Sequence, residues 1–138
     1  MGKDGKKRMV LLVLSSTYDK AMATFMTANS ALAMDMEVHI YFAFLGVGVV
    51  KKGFSPKLPG IFRFVTGLYK KRLRKTGIGD LESQIATAQK LGARMYVCSL
   101  CIKANLLKKE KLREGVKPAG FATLVDLMDE SDIYMVIS

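Results

Sequence analysis

This 138-residue chain holds only two cysteines, Cys98 and Cys101, one histidine, His39, and three prolines. Two cysteines rule out a disulfide scaffold, and with one distant histidine they cannot complete a tetrahedral zinc site. A metal bridging subunits stays open. With half the residues hydrophobic and so little proline, a disordered chain is excluded beyond the ends. Long apolar runs are also missing. The longest, near Ile40 to Val50, falls well short of the roughly 20 residues a membrane span needs. Met1 to Arg8 is polar and basic, and Met9 to Leu14 is too short for the core of a signal peptide. The expectation is a cytoplasmic protein, where thiols stay reduced. Ser15-Ser16-Thr17, after the first apolar run, is neither G-x-G-x-x-G nor a Walker A loop, so no nucleotide or other cofactor is expected. There is no G-x-S-x-G elbow, no paired-carboxylate site and no internal repeat.

What is present alternates in period. Met9–Leu14 reads as a strand covered on both faces. The hydroxyls of Ser15, Ser16 and Thr17 suit the cap of a helix over Tyr18 to Met34. Met36 to Phe44 alternates, with Val38, Ile40, Phe42 and Phe44 on one face and Glu37, His39, Tyr41 and Ala43 on the other. His39 lies inside this strand, which points to a structural or surface role. Asp80 caps a helix ending at Gly92, Ala93 to Cys98 is a strand, and a helix follows to about Leu107. Gly115-Val116 suggests a very short strand, Pro118 opens a further helix, and Ile133 to Ile137 closes the chain as a strand. The pattern predicts one α/β domain over 1–138, a three-layer sandwich with a mostly parallel, flavodoxin-like sheet. Residues 1–8 form a flexible basic end, and 47–79 form a basic helical insertion after the second strand.

The net charge of +10 belongs to that insertion. From Lys51 to Thr76 there are nine bases and no acid, leaving 13 bases against 12 acids elsewhere. Ile61 to Thr76 scans as an amphipathic helix, with Ile61, Phe64, Val65 and Leu68 on one side and Arg63, Lys70 and Arg74 opposite. One reading is a helix packed on the core with a solvated basic back. The others make Arg63, Lys70 and Arg74 a docking surface for an anionic membrane or an acidic protein. Nucleic acid is the least favoured partner, because no stacking platform or groove-reading motif accompanies the charge.

Cys98 ends a strand where a helix begins. In open α/β sheets ligands bind beyond the carboxyl ends of the strands, and helical N–H groups there favour thiolate over thiol. The amides at Ser99 and Leu100 would stabilise the anion. Cys101, one helical turn on, shares the site. The loops holding Ser15, Ser16 and Gly46 are candidates to line the same end of the sheet. The alternative is that both cysteines are inert, small core residues.

Tyr18-Asp19-Lys20-Ala21 through Ala33-Met34-Asp35-Met36-Glu37-Val38 to Leu45-Gly46 resembles the DsrE/DsrF-like sulfur-relay family, in particular its peroxiredoxin-like branch. Met95-Tyr96-Val97-Cys98 and Gly115-Val116 to Gly120-Phe121-Ala122-Thr123 with Asp126-Leu127 extend the resemblance. It implies a homo-oligomer in which Cys98 holds and passes sulfane sulfur as persulfide or thiosulfonate. It also implies partners such as a rhodanese-like enzyme or a TusA-type carrier. Cys101 occupies a position that varies across the family, and Leu45 stands where relatives often carry tryptophan. The competing reading is a thiol–disulfide or peroxide-reactive protein cycling Cys98 and Cys101, or a non-catalytic module docking through its basic helix.

Overall fold

The computed structural model describes residues 5–54, 56, 58, 60–104 and 106–138. Five parallel strands form one sheet: β1 (Arg8–Val13), β2 (Glu37–Phe42), β3 (Arg94–Cys98), β4 (Val116–Ala119) and β5 (Ile133–Ile137). Helices α1 (Tyr18–Ala33), α2 (Thr66–Lys75), α3 (Leu81–Lys90), α4 (Ser99–Lys103) and α5 (Phe121–Asp129) connect them, with 3-10 segments at Phe44–Val50 and Gly60–Val65. The three-layer parallel sandwich is therefore as expected. Its strand order is β4-β3-β2-β1-β5, so the chain reverses direction between β1 and β5. Flavodoxin's order reverses between its first and third strands. Here Cys98 lies two strands away from the reversal.

Strand alternation sorts the two faces. Register pairs Val13 with Phe42 and Phe42 with Val97, so these share one face of the sheet. Phe25 of α1 stacks on Phe42 there, with ring centroids 6.3 Å apart. Such a pair is worth about 0.5–1.5 kcal/mol beyond its area. α3 packs beside α1, where Asn29 Nδ2 donates to Gln84 Oε1 and to the Gln84 carbonyl. Asp80 caps α3 by accepting from the Ser83 amide at 2.8 Å, a contact worth about 1 kcal/mol. On the opposite face Tyr41 meets Phe121 of α5 at 5.5 Å.

Several boundaries differ from expectation. Arg8 belongs to β1 and is buried, because Glu37 and Glu130 hold its guanidinium at 3.2 and 3.0 Å; residues 1–4 lie outside the described ones. Thr17 stands at the start of α1 without a side-chain cap, since Ser15 Oγ turns toward Thr17 instead. β5 is an edge strand, and Ile133, Tyr134, Met135 and Val136 are exposed on both of its faces.

The basic segment departs most. The helix starts at Thr66, preceded by a 3-10 turn. Phe64, Val65 and Leu68 face solvent rather than the core; the Ile61 side chain lies outside the described residues. Lys70, half-buried, and Arg74, exposed, line a cavity of about 230 Å³ with Tyr18 and Phe54 instead. Lys70 Nζ sits 4.8 Å from the centre of the Tyr18 ring, a contact that favours the cation on that side.

Candidate functional site

β3 lies between β4 and β2 in the sheet and ends at Cys98, which is also the residue that opens α4. Tyr96 and Cys98 alternate onto the face that also carries Tyr41, whose register partner is Tyr96. β4 closes the other flank, with Ala119 opposite Cys98. The Tyr41 hydroxyl donates to the Ala119 carbonyl at 2.8 Å and lies within hydrogen-bonding reach of Cys98.

Both thiols are free and both are covered. Cys98 is 0% exposed and Cys101 2%. The open corner expected for Cys98 is not what the chain builds: its sulfur is fully buried. Phe121 lies on Tyr41 and also 6.2 Å from Phe44. Phe44 follows β2, and its amide donates to Cys101 Sγ at 3.3 Å. An apolar cavity of about 480 Å³ lies beside Phe44, walled by Phe44, Leu45, Val47, Leu106 and Leu107 with Lys51 among its lining residues. Neither cysteine lines it, and Phe44, whose amide meets Cys101, does.

The two sulfurs are electrically unequal. Burial pushes the Cys98 thiol up, but hydrogen bonds more than offset that and leave it below the ordinary value. They come from the Cys101 amide, the Cys101 thiol, the Tyr41 hydroxyl and the Leu100 amide. Burial also pushes Cys101 up, and its contact with Cys98 adds to that; the Phe44 amide only partly compensates. Tyr41 is held protonated, by burial first and then by its contact with Cys98. The pair thus has one sulfur prepared to be the anion and one prepared to stay a thiol.

The other expected residues divide. Leu100 contributes its amide to Cys98 while its side chain is exposed. Ser99 begins α4. Ser15 is buried against Thr17, and among the described residues no hydrogen bond joins Ser15 or Ser16 to either cysteine. Gly46 is a packing requirement: a Cβ there would sit 2.1 Å from the Val13 carbonyl oxygen. Arg63, Lys70 and Arg74 lie outside the thiol contacts, Lys70 and Arg74 at the smaller cavity. Tyr41 was missed by sequence reasoning. Its only sequence signal is an aromatic residue on the strand face opposite Val38, Ile40 and Phe42, which any core tyrosine shares.

His39 is buried lower on the same face, where Glu37 Oε1 is 3.1 Å from its Nε2 and the Tyr96 hydroxyl 3.0 Å from its Nδ1. Burial holds its pKa below the ordinary value against the pull of Glu37. Among the described residues no group of three or more His, Cys, Asp or Glu side chains is placed to hold a metal.

The sequence model of the DsrE/DsrF-like family matches residues 7–137. The chain is similar to the sulfur carrier protein DsrE2 of Allochromatium vinosum, 22% identical, with 96% of this chain and 99% of that one aligned. Bacillus subtilis YrkE is 26% identical, with 95% and 97% aligned. Among solved structures, MTH1491 from Methanobacterium thermoautotrophicum superposes with a TM-score of 0.68 at 15% identity, covering 95% of this chain and 99% of that one. YchN from E. coli gives 0.61 at 11%, covering 95% and 98%. At those identities the two structures bear on the fold alone.

Proposed function

The chain belongs to the DsrE/DsrF-like family, and on that premise we propose that it is a sulfur carrier that holds sulfane sulfur on Cys98 and delivers it to a partner. The observation that carries this reading is the inequality of the thiol pair. Four hydrogen-bonding groups surround Cys98 Sγ and hold its pKa down despite burial. A thiolate is the nucleophile in sulfur transfer, and the same groups suit the terminal anion of a bound persulfide. The Cys98 thiolate attacks the sulfane sulfur of a donor R–S–SH, forming Cys98–S–SH and releasing R–S⁻. Attack by an acceptor thiolate on the outer sulfur returns Cys98 as a thiolate, so no oxidant is needed. Movement of Phe44 or Phe121 admits the donor, and the neighbouring apolar cavity gives it room.

A rhodanese-like donor, a TusA-type acceptor and a cytoplasmic location fit this role. Among the described residues no helix is long and apolar enough to cross a membrane. Homo-oligomerisation through β5 is part of the proposal, since an apolar edge strand exposed on both faces is a template for association. The experiment is intact-mass analysis of wild type, Cys98→Ser and Cys101→Ser after exposure to a persulfide donor. A sulfur adduct on wild type and Cys101→Ser, absent from Cys98→Ser, supports the proposal.

A second reading has its own observation. Cys98 and Cys101 are in side-chain contact, so attack of Cys101 on a Cys98 persulfide would release sulfide and leave a disulfide. A Cys98–Cys101 disulfide that turns over, without transferable sulfur, would favour redox chemistry.

A further inference from the structure

We infer that the outward surface of residues 62–75 is a docking face for an anionic lipid bilayer. The segment exposes what a soluble helix normally hides. Phe62 is 60% exposed, Phe64 79% and Leu68 55%, with Val65 between them also exposed. Folding thus turns the apolar stripe away from the core. Tyr18 and Thr66 set that orientation. Tyr18 takes Lys70 over its face and Tyr69 against its edge, and Thr66 Oγ1 accepts from the Leu58 amide at 3.0 Å. Lys71, Arg72 and Lys75 then point outward beside Leu68, and the Arg63 guanidinium sits 5.2 Å over the Phe64 ring. None of these four cations is in an ion pair among the described residues.

The occupant follows from this pairing. Aromatic and aliphatic side chains flanked by uncompensated lysine and arginine match the boundary between acyl chains and anionic headgroups. A second copy of the same face is disfavoured, because from Lys51 to Thr76 the chain has nine bases and no acid, and two such surfaces repel. The residues differ from the docking set read off the sequence: Lys70 is engaged by Tyr18, Arg74 lines the cavity beside it, and the exposed phenylalanines join the outward cations. The inference is independent of Cys98 chemistry.

The chain contains no tryptophan, so Phe64→Trp installs a single reporter at an exposed position. With the full chain and vesicles of phosphatidylcholine mixed with phosphatidylglycerol, its emission should shift to the blue and be quenched by brominated lipid. Phosphatidylcholine alone should give neither effect. Adding Lys71→Glu, Arg72→Glu and Lys75→Glu should weaken vesicle affinity by about a hundredfold, and Phe62→Ser should reduce the blue shift. Unchanged thermal melting of each variant shows that the fold is kept. Emission unmoved by anionic vesicles overturns the inference. So does a response to poly-glutamate in place of vesicles, which would assign the face to an acidic protein.

Discussion

The amide of Phe44 donates to the sulfur of Cys101 at 3.3 Å while Phe44 itself holds a φ of +53°. A non-glycine residue in the left-handed region costs about 1–3 kcal/mol and persists only where its surroundings impose it. Here Gly46, pressed on the Val13 carbonyl, fixes the chain two residues later. The strained residue is also the one whose amide holds Cys101, so backbone strain sits directly beside the thiol pair.

Phe44→Gly relieves the left-handed conformation and removes the ring. Native-state alkylation of the two cysteines should accelerate several-fold, because local opening no longer has to displace an aromatic side chain. Peptide mass spectrometry of iodoacetamide-treated protein reads the rates. Equal rates in the variant and wild type would show that Phe44 does not limit access to the pair.

Tyr41→Phe removes the hydroxyl whose single proton bonds the Ala119 carbonyl and lies within reach of the Cys98 thiolate, and it leaves that carbonyl without its partner. Loss of a donor to the thiolate raises its pKa, so the pH midpoint of Cys98 alkylation should move upward. The orphaned carbonyl should destabilise the fold by about 1–3 kcal/mol. Alkylation rate against pH, alongside urea unfolding, separates the two effects.

Gly46→Ala places a Cβ into the Val13 carbonyl. Backbone must shift to admit it, so destabilisation of at least about 3 kcal/mol is expected. Denaturant unfolding measures it. Gly67→Ala, where a Cβ meets nothing within 4 Å, is the control and should change little or stabilise.

His39 gives the fold an acid sensitivity. Its native pKa is lowered by burial, so its contribution to stability is complete above the unfolded value of about 6.5. Below that the unfolded chain takes up a proton the native state refuses, and stability falls until the native pKa is reached. Glu37, whose pKa is lowered by its bonds to His39 and Arg8 in excess of the upward push of burial, adds a second loss at more acidic pH. Melting temperatures should decline from about pH 7 downward, and His39→Gln should flatten the first part of that decline.

The layers of this fold were legible because β2 alternates, β1 and β5 are short unbroken apolar runs, and α1 carries a 3.6 period. The orientation of α2 was not. A helical wheel separates Leu68 from Lys70 but does not say which side meets the body; Tyr18, some 50 positions away, decides it. The thiol pair was legible from its place at a strand-to-helix corner, and the inequality of the two sulfurs depends on the Leu100 and Cys101 amides that such a corner supplies. Its burial was not legible, because the groups around the pair, the Phe44 amide, Tyr41 and Ala119, come from β2, the connection after it and β4. Tyr41 became visible only once register placed it beside Tyr96 and Ala119 beside Cys98.

Mass analysis of sulfur-loaded protein mixed with an acceptor thiol tests the central claim most directly. The account predicts a gain of one sulfur atom on Cys98, retained in Cys101→Ser, absent in Cys98→Ser, and lost again as the acceptor gains it. A wild-type chain that stays at its unmodified mass under native conditions, with Cys98 silent in Phe44→Gly as well, would contradict the account.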